Sequence, residues 1–340
     1  MLKLRRGVVS RSDPLTVRVG DEERRAWADH GLVGDLWEGD EVIVNVEALD
    51  LGLGSGGFDV VHVNLSRGLE APGAVTVAAM KLNYSSLQHP VEPVETLPEQ
   101  GERRAIPVLA LSLHGQLAPA AWAAARGAGD LRVGYIQTAG GALPGALSRD
   151  VGDLRRRGLL CDHVTAGPAY GGEREAITVI GALRAAAGPL GWDAAIAGPG
   201  PGIVGSGTRL GHGGMSALDT AHASLSLRLE TLLAPRMSSG DRRARHQGLS
   251  HHTDTVLRLL LGSVRVPAPA ADESALEQLR VACGDRHEVW PREALVDEYA
   301  GSGLPATHMG RSIEEDRLFF AAALAAGEGL AAAALVGEAA

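Results

Sequence analysis

The chain has 340 residues, of which 45% are hydrophobic, 4% aromatic and 21% charged, and its formal net charge at pH 7 is −9. Such a composition is ordinary for a globular protein of two or three domains. The sequence contains no run of eighteen apolar residues, so no membrane span is expected. The apolar part of the first residues is too short for a secretory signal. Cys161 and Cys283 lie in apolar surroundings, which indicates buried thiols rather than a disulfide or a metal-binding pair. We therefore expect a cytoplasmic protein.

The negative charge is concentrated at the C-terminal end. Residues 268–340 contain 13 acidic and 5 basic residues, a net charge of −8. Nucleic acids and anionic membranes are repelled by such a surface, so neither is expected as a partner.

Residues 1–67 read as a small β-barrel. Alternating apolar runs at Leu4–Ser10, Leu15–Val19, Glu41–Val46 and Phe58–Asn64 are separated by turn residues. Several short strands at this spacing favour a barrel of the SH3 or OB kind. Acidic residues outnumber basic ones here, 12 to 8, and aromatic residues are few. A structural or interface module is therefore favoured over a nucleic-acid binder.

From Ile106 onward the pattern predicts an α/β fold with a doubly wound, mostly parallel sheet and flanking helices. Predicted strands are Ile106–Leu113, Leu131–Gln137, Leu159–Val164 and Trp192–Ala197, with an earlier one at Val75–Leu82. One helix is expected to carry Leu143, Leu147, Val151 and Leu154 on one face, and another, from Glu173, to bury Ala176, Ile177, Ile180 and Leu183. Capping boxes are predicted at Ser216–Asp219 and Ser312–Glu315. The predicted domains are the barrel 1–67, an α/β core 68–267, and an acidic, mainly helical extension 268–340 packing on the core.

The stretch Gly198–Gly214, GPGPGIVGSGTRLGHGG, contains eight glycines and follows a predicted strand. Glycine leaves backbone amides accessible to an anion at the carboxyl edge of a sheet. A dinucleotide fingerprint is disfavoured, because the loop does not belong to the first βα unit. Two other Gly-containing loops end neighbouring strands. The predicted ligand-binding residues from the three loops are Gly140, Gly141, Gly171, Gly172, Gly200, Gly202, Gly205, Ser206, Gly207 and Thr208. The alternative is close packing of backbone against a helix.

The segment Arg236–Asp254 holds four arginines and three histidines. Arg243 and Arg245 are predicted to clamp a carboxylate or phosphate. His246, His251 and His252 are candidates for general acid or base catalysis. The alternative is that these residues cap helices, satisfy buried carbonyl groups or face solvent.

Metal binding by these histidines, with His212 or Asp219, is a minor alternative. The spacing H-x-x-x-x-H-H is no established zinc pattern, and adjacent histidines on a helix point about 100° apart. We therefore assign no metal ligand and no cofactor from the sequence.

The runs GPGPGIVGSGTRLG, RHQGLSHHT and LGLGSGGFDVV together resemble DUF3866, a bacterial family of unknown function. The resemblance covers almost the whole chain and implies that the barrel and the α/β core belong together. It implies no activity.

Three functions remain open at this point. The first is an enzyme acting on a small anionic metabolite or nucleotide at the glycine-rich edge of the sheet. The second is a non-catalytic ligand sensor or assembly module, a homo-oligomer joined through the barrel or the apolar C-terminal helix with Leu318, Phe319, Phe320 and Leu324. The third is a histidine-dependent metallohydrolase.

Overall fold

A computed structural model describes residues 1–53, 56–69, 79–98, 104–128 and 130–337. Contacts divide the chain into two compact units, residues 1–91 and 92–340.

The first unit contains a closed five-stranded barrel, which confirms the predicted one. Its elements are β1 (Leu4–Ser12), β2 (Leu15–Val19), β3 (Glu22–Trp27), α1 (His30–Val33), β4 (Glu41–Asn45), α2 (Glu47–Asp50) and β5 (Asp59–Asn64). The strand order is β1-β2-β3-β5-β4, closing on β1, and only β3 and β5 run parallel to each other. Valines at alternating positions fill the interior, among them Val42 and Val44. The sequence did not predict β3, because its residues Glu22–Arg25 are all charged.

A short hairpin completes the first unit. It consists of β6 (Ala79–Lys81) and β7 (His89–Val91). The predicted strand Val75–Leu82 coincides with β6 at its end, and its residues 75–78 lie outside the described residues.

The second unit is built on an eight-stranded parallel sheet. Its strands are β8 (Val108–Ala110), β9 (Val133–Thr138), β10 (Asp162–Ala166), β11 (Arg174–Ala176), β12 (Ala194–Pro199), β13 (Thr231–Leu233), β16 (Arg265–Pro269) and β17 (Glu288–Arg292); short hairpin strands are β14 (Met237–Ser238), β15 (Gly248–Leu249), β18 (Thr307–His308) and β19 (Arg311–Ser312). The sheet order is β11-β10-β9-β12-β8-β13-β16-β17. The doubly wound parallel sheet is thereby confirmed. Its last strand, β17, lies in the segment predicted as a mainly helical extension, where the sequence also predicts a strand at Glu288–Trp290.

Helices cover both faces of this sheet. They are α3 (Leu117–Gly127), α4 (Arg149–Arg156), α5 (Val179–Ala186), α6 (Ser216–Ser226), α7 (His251–Leu259), α8 (Glu273–Cys283), α9 (Val296–Ala300) and α10 (Arg317–Gly337). Successive strand residues point to opposite faces. Leu109 and Tyr135 therefore pack in one apolar cluster with α3 and α10, while Val108 and Ile136 pack in another with α5.

The helix α10 is long and apolar enough to cross a membrane, by length and composition alone. However, 72% of its apolar window is buried inside the chain, as in a core helix. Phe319, Phe320 and Leu324, predicted as subunit contacts, are buried within the chain itself. Both cysteines are free thiols; Cys283 is buried as predicted, whereas Cys161 is only half-buried, and burial raises the pKa of each to about 11.

Two helix predictions were wrong about where the helix begins. Leu143 and Leu147 precede α4, which begins at Arg149 behind the capping residue Ser148. Pro144 lies between them and favours extended backbone before it. The helix predicted from Glu173 begins only at Val179, since residues 174–176 form β11.

Two of the predicted core residues of this helix lie at the surface. Ile177 and Ile180 are 41% and 40% exposed. Ala176 and Leu183 are buried as predicted.

The two predicted capping boxes had opposite outcomes. At Ser312–Glu315 both bonds form, from Ser312 N to Glu315 Oε2 (2.8 Å) and from Glu315 N to Ser312 Oγ (3.3 Å), but they close a turn ahead of the last helix, which begins at Arg317. The box at Ser216–Asp219 was wrong, because Met215 is the N-cap residue of α6 and no side chain caps this helix.

Candidate functional site

The glycine backbone of the loop after β9 packs against the long glycine loop after β12. A Cβ added at Gly140 would lie 2.3 Å from the carbonyl oxygen of Gly213, and one added at Gly141 would lie 2.2 Å from that of Gly200. The amide of Ala142 donates to the Pro201 carbonyl at 2.7 Å. Much of the glycine content of these loops therefore serves close packing.

The loop after β10 lies next to the loop after β9. The amide of Gly145 donates to the Tyr170 carbonyl at 2.6 Å. Within the loop, Gly171 N donates to Glu175 Oε1 at 2.6 Å and Gly172 N to Thr165 Oγ1 at 3.2 Å. The two predicted glycines of this loop thus use their amides within the protein.

A cavity of about 200 Å³ opens beside the glycine loop. We call it the His–Arg cavity; its lining consists of Ile203, Val204, Gly205, Gly207, Thr208, His212, Arg236, Arg243, Arg245, His246, His251, His252 and Met309. It lies beyond the carboxyl ends of β12 and β13, where parallel sheets commonly bind ligands.

The cavity brings together eight of the predicted site residues: Gly205, Gly207, Thr208, Arg243, Arg245, His246, His251 and His252. The other predicted residues are not in its lining: Gly140, Gly141, Gly171, Gly172, Gly200, Gly202 and Ser206. The Ser206 hydroxyl contacts Thr208 Oγ1 (2.9 Å) and the Gly211 carbonyl (3.0 Å). It therefore stabilises the tip of the glycine loop.

Chain reversals place the basic side chains around the cavity. Arg236 directly precedes β14, which pairs with β15, and the turn between these strands carries Arg243, Arg245 and His246. Ser250 then caps α7, its hydroxyl accepting from the amide of His252 at 3.3 Å. The first turn of α7 consequently presents its histidines to the cavity.

Asp241 positions the arginines. Its carboxylate is 2% exposed and accepts from Arg243 Nε at 2.9 Å and Nη2 at 2.7 Å. Arg236 Nη2 and Arg311 Nη2 lie 3.7 and 3.6 Å from the same carboxylate. Arg311 also pairs with the buried Asp316 at 2.9 Å. Three guanidinium groups therefore share two buried carboxylates.

Positive charge exceeds negative charge at the cavity. Among the residues that the structure describes, its lining contains three arginines and no acidic residue. Arg245 forms no ion pair with any described residue, and Arg236 is 4% exposed. Burial, together with the neighbouring Arg243, lowers the pKa of Arg236 to about 10. An anion in the cavity would relieve this imbalance.

Four imidazoles form the other wall. The rings of His212 and His252 stack with centroids 3.6 Å apart and planes inclined by 4°. His246 contacts His251 and His252 at centroid distances of 4.9 and 5.0 Å. His246 Nδ1 also lies 2.7 Å from Ser250 Oγ.

The proton position on His252 follows from its neighbour. Arg236 Nη1 lies 2.9 Å from His252 Nδ1. A guanidinium group only donates hydrogen bonds, so Nδ1 accepts and a neutral His252 carries its proton on Nε2. By contrast, neither ring nitrogen of His212 has a hydrogen-bond partner among the described residues, although both are buried.

The four histidines are neutral at pH 7. Burial, and next to it the charge of Arg236, lowers the pKa of His246 to about 3 and that of His252 to about 2. Burial also lowers the pKa of His212 and of His251. A neutral imidazole accepts or relays a proton, but it is a poor source of one at neutral pH.

One nitrogen from each of His212, His251 and His252 lies within 4.8 Å of the others. Neutral imidazoles suit zinc-like ions. However, an imidazole binds a metal in its own plane, and parallel rings 3.6 Å apart do not direct their lone pairs to one point. One ring of the stacked pair must turn before it shares an ion with the other.

Arg236 and Met309 were not predicted as site residues from the sequence, and His212 was predicted only as a possible metal ligand. Met309 lies between β18 and β19, and its sulfur is 3.8 Å from Arg243 Nη2. The basic composition of 236–246 was the only signal for Arg236, and no signal marked Met309.

The fold and the site define an α/β protein with a basic, histidine-lined cavity at the carboxyl edge of a parallel sheet. Residues 25–327 match the family model described as Protein of unknown function (DUF3866). The chain belongs to that family, which confirms the resemblance seen in its sequence. No curated protein and no solved structure matched the chain.

Proposed function

We propose that the His–Arg cavity binds the anionic group of a small metabolite and that the protein is an enzyme acting on this metabolite. The excess positive charge of the lining carries the proposal, because its described residues include three arginines and no acidic residue, and Asp241 behind them offsets only part of this charge. Guanidinium groups bind phosphate and carboxylate through paired N–H donors.

The arginines have distinct roles in this proposal. Arg236 and Arg243 are fixed by Asp241, so little side-chain entropy is lost when they bind the anion. Arg245 is exposed at the cavity and meets the incoming anion. The Nε2–H group of His252 adds a neutral donor.

Proton transfer in this proposal falls to His251 and His212. Both line the cavity, and neither ring is held by a side-chain hydrogen bond from a described residue. His246 and His252 are engaged by Ser250 and Arg236. They position the anion and the other rings rather than exchange protons.

Calorimetric titration with inorganic phosphate and with acetate tests anion binding. Arg245→Ala removes an exposed cation, and we expect at least tenfold weaker binding. Arg242 is the matched control, because it is exposed on the same turn and is not in the lining. Arg242→Ala should change the affinity less than twofold. Absence of binding, or equal affinities in the two variants, contradicts the proposal.

An enzyme differs from a sensor in the fate of its ligand. Incubation with a metabolite that binds, followed by mass spectrometry, should reveal a product, and His251→Gln should slow its formation. A ligand recovered unaltered from every incubation favours the sensor.

A metallohydrolase is the second candidate, favoured by the three imidazole nitrogens within 4.8 Å. Elemental analysis of protein without an affinity tag tests it, after incubation with Zn²⁺ and dialysis. One ion per chain, lost in His212→Gln, supports this candidate. Less than a tenth of an ion per chain eliminates it.

A further inference from the structure

A second concavity of about 780 Å³ adjoins the His–Arg cavity. We call it the α7–α8 groove; it is lined by Ala244, Arg245, Leu249, His251, Asp254, Arg258, Glu273, Ser274, Glu277, Gln278, Val281 and Ala282. Arg245 and His251 belong to both linings. The two spaces therefore meet at these two side chains.

The acidic residues of the groove are paired with arginines. Asp254 binds Arg209 at 2.5 Å and Arg258 at 2.8 Å. Glu273 and Glu277 lie 2.7 and 3.5 Å from Arg280. Their charges are compensated within the protein, and they leave no net charge for a ligand to balance.

The polar amide in the groove is also occupied. Gln278 Oε1 accepts from the amide of Leu249 at 2.8 Å, and Gln278 Nε2 donates to Ser274 Oγ at 3.3 Å. The remaining surface is mostly apolar, with Leu249, Val281 and Ala282. Arg245 is the one cation of the lining without an ion pair among the described residues.

The size of the His–Arg cavity limits what it holds. About 200 Å³ corresponds to roughly seven water molecules at ~30 Å³ each, whereas drug-sized ligands fill pockets of roughly 300–1,000 Å³. The cavity accommodates a phosphate or carboxylate group, and it is smaller than the pockets that hold drug-sized metabolites.

We infer that the substrate is an organic anion whose phosphate or carboxylate group occupies the His–Arg cavity and whose uncharged, largely apolar body lies in the α7–α8 groove. The inference rests on the proposed function, since it needs the anion in the cavity. Arg245 and His251 then flank the bond between the anionic group and the body.

Two ligand pairs test this arrangement by calorimetry. Phenyl phosphate should bind at least tenfold more tightly than inorganic phosphate if the head group is a phosphate. Benzoate should bind at least tenfold more tightly than acetate if the head group is a carboxylate. If neither pair shows such a gain while the simple anions bind, the inference is overturned and the proposed function stands. If none of the four ligands binds, the proposed function fails as well.

Substitutions in the α7–α8 groove test whether the tighter binding of phenyl phosphate or benzoate comes from contacts in that groove. Val281 is 75% exposed in the groove, so Val281→Trp narrows the groove without disturbing the core. In this variant we expect the affinity advantage of phenyl phosphate over phosphate, or of benzoate over acetate, to fall below threefold. The affinity for phosphate or acetate itself should stay within twofold of the wild-type value. Glu277→Trp repeats the test from a second exposed position. Leu261→Trp is the control, because Leu261 is 90% exposed outside both linings, and it should keep the full gain. A gain that survives in both groove variants contradicts the inference.

Discussion

His212 and His252 lie 40 residues apart in the chain, yet their rings stack in parallel with centroids 3.6 Å apart. Arg236 donates to Nδ1 of His252 from the edge of this pair. A protonated ring here would face a buried guanidinium at hydrogen-bond distance. The stack therefore requires neutral rings, and this requirement has a measurable consequence for stability.

Acidification should destabilise the protein below pH 6.5. The pKa values of His246 and His252 are lowered to about 3 and about 2 in the folded state. Between these values and pH 6.5, the two histidines are therefore protonated in the unfolded chain but not in the folded chain. Stability is complete above pH 6.5 and falls with pH down to the folded pKa, by about 1.4 kcal/mol per pH unit for each ring. Urea unfolding at pH 7, 6 and 5 measures this slope.

His252→Gln should reduce the slope by about 1.4 kcal/mol per pH unit. Equal slopes in the wild type and in His252→Gln would refute the neutral stack.

Asp241 should be essential for stability. Asp241→Asn leaves the buried Arg236 without its carboxylate and weakens the hold on Arg243 and Arg311, so we expect a loss of about 3–5 kcal/mol. Asp153→Asn, which breaks surface pairs with Arg156 and Arg157, should cost less than about 1 kcal/mol. Chemical unfolding at pH 7 compares the two variants.

The Asp241 contribution also depends on pH. The hydrogen bonds from Arg243 hold the pKa of this carboxyl well below its usual range. Its stabilisation is therefore present above pH ~4 and is lost as the pH falls from there toward the folded pKa. If Asp241→Asn and Asp153→Asn are equally stable at pH 7, the shared carboxylate does not organise the site.

Ser148 should matter more than an ordinary helix cap. Its hydroxyl accepts from the amide of Val151 at 3.2 Å and lies 2.7 Å from the buried His114 Nε2. Ser148→Ala removes both bonds, and we expect a loss of about 2–3 kcal/mol. Thr178 only caps α5, by accepting from Gly181 N at 2.9 Å, so Thr178→Ala should cost about 1 kcal/mol. Equal losses in thermal or urea unfolding would exclude a stabilising role for the His114 contact.

The sequence predicted the sheet because buried parallel strands are short apolar runs. Ala194–Pro199 is one such run, and it pairs on both sides with strands that were also predicted. Periodicity misplaced the start of α4, because Leu143 and Leu147 fit a helical face although Pro144 separates them. Hydrophobic periodicity gives the spacing of the apolar residues, but it does not show at which residue the helix begins.

The site was predictable only in part, because its contacts join distant segments. The richness in Arg and His marked residues 236–254, and glycine marked residues 198–214. The hairpin of β14 and β15 turns Arg236 back onto His252, and the stack adds His212 from another segment. Such pairs depend on tertiary structure that no local pattern encodes. The sequence could not distinguish which glycines line the cavity and which pack against other backbone.

Glycines that pack against backbone and glycines that line the cavity should respond differently to an added methyl group. A Cβ added at Gly213 would lie 1.7 Å from the carbonyl oxygen of Gly140, and backbone cannot move aside as a flexible side chain does. Gly213→Ala should therefore cost about 3 kcal/mol or more of the free energy of unfolding. At Gly205, in the cavity lining, an added Cβ meets only His212 Cβ at 3.6 Å and the Gly211 carbonyl at 3.8 Å. Gly205→Ala should keep the melting temperature within about 2 °C while weakening phosphate binding, because the new methyl group enters the cavity. Loss of stability in Gly205→Ala, or its absence in Gly213→Ala, would show that the two glycine roles are assigned the wrong way round.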